Sequence, residues 1–140
     1  MIKRTTADHW FSKCVRERAE WRCERCGAHH LPNSMGLHCA HWHSRGQWGT
    51  RFDAANALAL CYGCHVETGK KRETEHKPLM LRLVGDLELD RLWHDSRRPV
   101  HGIKKRVPEI AKHYREQYEQ LLAQRSAGVT GRLDFEGWTP

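Results

Sequence analysis

Residues 37–65 read LHCAHWHSRGQWGTRFDAANALALCYGCH, a stretch that gathers four histidines, three cysteines and one asparagine and closes on the pair Cys61-x-x-Cys64. A second pair, Cys23-x-x-Cys26, lies upstream, with 34 residues between Cys26 and Cys61. Each pair can turn two thiolates toward one ion from a tight knuckle, and four sulfurs suit tetrahedral zinc. The expectation is a structural Zn2+ on Cys23, Cys26, Cys61 and Cys64 that staples both ends of the intervening segment. Disulfides are the competing reading. Redox catalysis is a weaker one, because a thioredoxin-like motif needs a single pair inside a βαβ pattern that the chain lacks. Cys14 reads as a small buried hydrophobe, and Cys39 as either a core residue or part of the strand that carries the site.

Upstream of the knuckles, Thr5-Thr6-Ala7-Asp8 reads as a capping box. Trp10, Phe11, Cys14, Val15 and Arg18 follow at helical spacing, with Lys13, Arg16 and Glu17 on the wet side, so a helix is expected over 5–21. Over 21–76 helical periodicity gives way to Gly, His, Cys and Trp, the pattern of short strands and loops around a metal. A helix starts near Cys61 to His65 and fades in the polar stretch 69–77. Pro78 opens another helix with Leu79, Met80, Leu81 and Leu83; Gly85 stops it, and Asp86 starts a segment whose Leu87, Leu89, Leu92 and Trp93 read as packing residues. Ser96 to Lys105 is basic and loop-like. Ile110, Tyr114, Tyr118, Leu121 and Leu122 then mark one face of a last helix. Residues 126–140 read as a flexible tail unless Phe135 or Trp138 docks. The expected fold class is α+β: one domain over 1–125, with an N-terminal helix, a zinc-stapled treble-clef or ββα-metal core, and a helical part over 78–125.

A chain of 140 residues with 39% hydrophobic and 29% charged residues fits one domain with a modest core. Its formal net charge of +7 gives a field that attracts polyanions, nucleic acid first among them. No apolar run reaches the ~18 residues needed to span a bilayer, and Met1-Ile2-Lys3-Arg4 has no signal-peptide character, so no membrane partner and a cytoplasmic setting are expected. In a reducing compartment, six cysteines favour metal over disulfides.

Phosphodiester hydrolysis needs a base to activate water, a cation to stabilise charge on phosphate, and a donor that holds the base in its correct tautomer. His41 at a strand end, Asn56 in the following loop and His65 at the start of the next helix occupy such places, with zinc drawing them together. His41 is the candidate base, Asn56 the residue that orients its loop or, more simply, caps the next turn, and His65 the candidate ligand of a catalytic divalent cation. Arg45 and Arg51 are candidate phosphate clamps. His43 is a further catalytic candidate and His38 a further metal ligand. Arg97, Arg98, Lys104, Lys105 and Arg106 read either as a track along a duplex or as a solvated charge run. The six tryptophans read as packing residues rather than base-stacking platforms.

These residues bring a family into view. Asp8 with Phe11-Ser12 and Val15-Arg16, then Cys23-x-x-Cys26, Leu37-x-Cys39-Ala40-His41-Trp42, Ser44-Arg45, Thr50-Arg51-Phe52-Asp53, Asn56, Cys61-x-x-Cys64 and Gly85 resemble the phage recombination endonucleases called NinG or Rap, within the HNH-like, His-Me finger and treble-clef nucleases. The resemblance implies a ββα-metal core, Mg2+- or Mn2+-dependent strand cleavage, and a preference for branched recombination intermediates such as Holliday junctions and D-loops. It also implies a phage or prophage origin. Ala40 stands where many HNH nucleases carry a metal-binding aspartate, and His65 where the resembled family usually has asparagine. His38, His43 or Asp53 are then the candidates for a further ligand, and a histidine-rich site shifts preference toward manganese or zinc.

Two alternatives differ in kind. One is an HNH nicking, packaging or restriction-type endonuclease acting on ordinary duplex DNA; the other is a zinc-finger module that binds DNA without cutting it. Symmetric cutting of a junction calls for two active sites, and the apolar face of the last helix is a candidate homodimer seam.

Overall fold

The computed structural model describes residues 2–140. Helix α1 (Thr6–Arg18) begins as its sequence dictates. The Thr5 hydroxyl accepts the Asp8 amide at 3.2 Å, and the Asp8 carboxylate accepts the Thr5 amide at 2.7 Å. The helix ends short of residue 21, where Glu20 and Trp21 adopt left-handed φ values of 57° and 58° and turn the chain toward the first cysteine pair. Glu17, expected on the wet side, is buried, because Arg125 reaches in beside its carboxylate and donates to its carbonyl. Arg18 is buried as well and donates to the carbonyls of Ala54 and Ala57.

Strands β1 (Leu37–His41) and β2 (Ala57–Cys61) form a two-stranded antiparallel sheet, with Leu37 opposite Cys61 and His41 opposite Ala57. Helix α2 (Tyr62–Lys70) follows β2 without a loop, and Cys61 is its N-cap. Helix α2 ends at Lys70, inside the expected polar stretch, and Lys71 leaves helical geometry at φ −119° and ψ 60°; a π-helical turn, Arg72–His76, then leads directly into α3 (Lys77–Leu83). Gly85 stops α3 with φ 88°, a conformation glycine adopts without steric cost. It is followed by α4 (Asp86–Arg97), a 3-10 turn over Ile103–Arg106 and α5 (Val107–Ser126).

The architecture is α+β, with two apolar clusters. In the first, Trp21, Leu37, Trp42, Leu58 and Leu60 meet Leu79 and Met80 of α3 and Leu89 and Leu92 of α4. In the second, Phe11 and Val15 of α1, Phe52 and Ala57 meet Ile110, Tyr114 and Leu121 of α5. Complete burial of a side chain such as Phe11 or Leu121 contributes about 1.5–3 kcal/mol each. Leu89 and Leu92 carry the packing of α4; Leu87 and Trp93, expected beside them, are 87% and 47% exposed. The apolar face of α5 lies against α1, so the surface expected to serve as a dimer seam is spent on the core. Residues 127–140 have no regular structure, yet they are not loose: Leu133 bonds the Arg18 carbonyl, Glu136 bonds Gln117, Trp138 bonds the Tyr114 hydroxyl, and Phe135 packs on Phe11 and Tyr114. The expected flexible tail is in this way docked along α1 and α5. No helix among the described residues is long and apolar enough to cross a membrane.

Candidate functional site

The Sγ atoms of Cys23, Cys26, Cys61 and Cys64 all lie within 4.8 Å of one another. Four sulfurs around a tetrahedral zinc, each at about 2.3 Å, stand about 3.8 Å apart, and Cys26 and Cys61 are separated by 3.8 Å. Both knuckles aim backbone amides at sulfur, Cys26 at Cys23 and Cys64 at Cys61, each at 3.5 Å. Burial opposes ionisation of Cys23, yet the amides around it prevail and bring its pKa down to about 7. Arg25 adds a guanidinium 3.3 Å from the Cys64 sulfur. Glu24 ties this knuckle to β2, its amide bonding the Ala59 carbonyl and its carboxylate accepting the Ala59 amide. The donor set and its spacing fit a structural zinc ion.

The other chemistry-bearing residues line a cleft of about 400 Å³ between α1, β1 and α2. His41, the last residue of β1, places Nε2 3.0 Å from the Arg51 carbonyl oxygen. A carbonyl only accepts, so Nε2 carries the proton and Nδ1 keeps the lone pair. Burial, only partly offset by that hydrogen bond, lowers the His41 pKa to about 4, and the ring is neutral at pH 7. His38 and His65 meet with their Nδ1 atoms 2.9 Å apart, one donating to the other. Burial and the proximity of His38 lower the pKa of His65. Arg4, Arg16, Arg45 and Ser12 complete the wall.

Asn56 is fully buried beneath this cleft. Its Oδ1 accepts the His43 amide at 2.9 Å, and its Nδ2 donates to the carbonyls of His43 and Thr50 at 3.0 Å each. One side chain therefore closes the loop from 43 to 50, whose far end presents the Arg51 carbonyl to His41.

Several assignments change. Arg51 is no phosphate clamp: its side chain is 2% exposed and forks onto Asp8, Nε to Oδ1 at 3.0 Å and Nη2 to Oδ2 at 2.6 Å. Asp53 is occupied in capping Ala55 and in bonding Arg91, so it is not a metal ligand beside His65. His43 faces away from the cleft and lines a separate cavity. The sequence reading missed Arg4, Ser12 and Arg16; the signal for two of them was the polar stripe Asp8, Ser12, Arg16 at four-residue spacing on α1, which lies alongside the apolar one. Comparison with family models, with curated proteins and with solved structures finds no match to this chain.

Proposed function

We propose that the chain is a metal-dependent DNA endonuclease in which His41 activates the attacking water. The observation that carries the reading is a neutral histidine with its tautomer set by a backbone carbonyl, in one cleft with a paired His38 and His65 and with three arginines. The order of the parts, knuckle, hairpin and helix with the second cysteine pair at its start, supports a treble-clef reading, and strand, strand, helix supports a ββα-metal one. Two ligands at right angles around an ion, each at about 2.1 Å, stand about 3.0 Å apart, so the spacing of His38 and His65 suits one divalent cation, and two imidazoles favour Mn2+ over Mg2+. When bound, that ion stabilises negative charge on the phosphate oxygens.

The chain's own residues supply the rest. His41 Nδ1 takes a proton from water as the water oxygen bonds to phosphorus, and the ester oxygen leaves from the opposite side. Arg4, Arg16 and Arg45 line the wall where a phosphate sits, and their charge favours the anionic substrate. An anion docked there also raises the His41 pKa from about 4 toward neutrality, which strengthens the base only when substrate is present. Branched DNA is the proposed substrate, in line with the family resemblance.

The test is incubation of wild type and His41→Ala with supercoiled plasmid and four-way junctions, in Mg2+, Mn2+ or EDTA. Metal-dependent cutting by wild type and its loss in His41→Ala are expected, with junctions cut in preference to linear duplex. Binding without cutting would replace the reading with a non-catalytic module. Cutting by His41→Ala at the wild-type rate would remove His41 from the chemistry.

A further inference from the structure

The lining of the His41 cleft is not cationic throughout. Met35 belongs to it and is 92% exposed. Tyr62, the first residue of α2, is 68% exposed and stands edge-on to His38, with ring centroids 6.0 Å apart and planes at 82°. Met35 and Tyr62 share one rim, because the Tyr62 amide donates to the carbonyl of Gly36, the residue after Met35, at 3.2 Å.

The backbone that carries these two side chains is fixed. Tyr62 follows Cys61, whose sulfur caps α2 by accepting the Cys64 amide. On the other side, the Gly36 amide donates to the Ser34 hydroxyl at 3.2 Å, and Asn33 takes a left-handed φ of 66°. A thioether and a phenol ring are therefore held out to water at a cleft mouth. Among the described residues the Tyr62 ring has His38 as its aromatic neighbour and no cation over its face.

Charge supplies the independent observation. Asp8 is the one carboxylate lining the cleft, and Arg51 and Thr5 occupy both its oxygens. Arg4 and Arg45 form no ion pair among the described residues; the Arg45 guanidinium reaches the Ile2 carbonyl at 3.5 Å. Cations without counter-charge thus stand in one cleft with an open aromatic face at its rim. A ligand that satisfies both carries an anion and a flat apolar group close together, as a nucleotide does.

We infer that Tyr62 and Met35 hold the base of an unpaired nucleotide whose phosphate lies in the His41 cleft, so that the site takes single-stranded DNA, including the open strand at a branch. The inference rests on the proposed placing of a phosphate beside Arg4 and Arg45, but not on cleavage. Inside a duplex each base is covered on both faces by its neighbours, so only an unpaired base offers a face to Tyr62. Stacking on that ring, with Met35 against the base, tolerates any base.

The test measures binding by calorimetry in EDTA, where no cutting occurs. Three unlabelled ligands of equal length are used: a short oligothymidylate, a deoxyribose-phosphate oligomer with the same phosphates and no bases, and a blunt duplex. Wild type should bind the oligothymidylate roughly tenfold more tightly than the base-free oligomer. Tyr62→Ala should bring these two affinities level and leave duplex affinity unchanged, and Tyr62→Phe should keep the wild-type preference. Equal affinity of wild type for the two oligomers, no single-strand binding, an undiminished preference in Tyr62→Ala, or a loss of equal size on all three ligands would overturn the inference. So would a dimer of wild type in sedimentation that Tyr62→Ala dissolves, since a second copy would then cover the ring. A Tyr62-dependent preference in a protein that cuts no DNA would sink the nuclease reading and leave this one standing; metal-dependent cutting by a protein without the preference would do the reverse.

Discussion

The carbonyl oxygen of Arg51 lies 3.0 Å from Nε2 of His41, while the guanidinium of the same residue is locked onto Asp8 in the interior. One arginine thus fixes the histidine through its backbone, because its side chain is anchored at the N-terminus of α1. Asp8 serves twice, as the N3 residue of the capping box and as the partner of Arg51. Asp8→Asn leaves a buried guanidinium without its counter-charge. It is expected to destabilise the fold by about 3–5 kcal/mol, read as a lower urea midpoint at pH 7. Arg51→Lys, which cannot fork onto both carboxylate oxygens, should fall in the same direction by less. A midpoint unmoved by Asp8→Asn would show that the pair does not hold the loop.

Acid should loosen the protein in two steps. His41 and His76 each have a folded pKa lowered to about 4 from 6.5, in both cases by burial. Between those values the unfolded chain holds a proton on each ring that the folded chain does not, so stability rises with pH across that window and falls on acidification. The slope is about 1.4 kcal/mol per pH unit for each such proton. Asp8 acts lower down: burial opposes its ionisation, but Arg51 and Thr5 hold its pKa below the ordinary 3.8. Its contribution is present above that value and is lost as pH falls through the depressed one. Denaturation midpoints measured from pH 7 to 4 should drop with wild type and drop less with His76→Phe. A flat profile over that range would contradict the burial of both rings.

The four-cysteine cluster and the capping box were legible because each is a local spacing rule, fixed by a few covalent bonds between Cys23 and Cys26, Cys61 and Cys64, or Thr5 and Asp8. His41 at a strand end was legible for the same reason. The role of Arg51 was not, since the sequence shows a cation near a histidine but not the interior carboxylate, 43 residues upstream, that claims it. Trp93 was misread because helical spacing assigns a residue to a face but does not say whether anything packs there; α3 covers only part of α4. The docking of 127–140 depended on a groove between α1 and α5 that exists only once both helices have packed.

Metal removal should act on the fold rather than on the cleft alone. A zinc ion on the four cysteines would join the two knuckles, which Glu24 also ties together by bonding both amide and carbonyl of Ala59. Without the ion, four thiols compete for the same space and the hairpin loses its staple. One zinc per chain is expected by elemental analysis, and a strong chelator should lower the melting temperature and open the segment between Arg22 and Cys61 to protease. Cys23→Ser should do the same without chelator. Full retention of melting temperature after complete zinc loss would assign the cysteines another role.

Gly49 is where the loop carrying the Arg51 carbonyl meets α4. A Cβ on Gly49 would lie 2.2 Å from the Asp95 carbonyl oxygen, which is helix backbone and cannot turn aside. Gly49→Ala must therefore push the loop off α4, at a cost of about 1–3 kcal/mol, and in doing so displace the carbonyl that sets the His41 tautomer. Gly69→Ala is the control: it lies in α2, a Cβ there meets nothing within 4 Å, and alanine should stabilise the helix by about 0.5–1 kcal/mol. Urea denaturation should shift the two midpoints in opposite directions. If cleavage is assayed below the transition, Gly49→Ala should cut more slowly than wild type while Gly69→Ala cuts at the wild-type rate. Equal rates for all three would mean that the loop's seat on α4 does not govern the position of the Arg51 carbonyl.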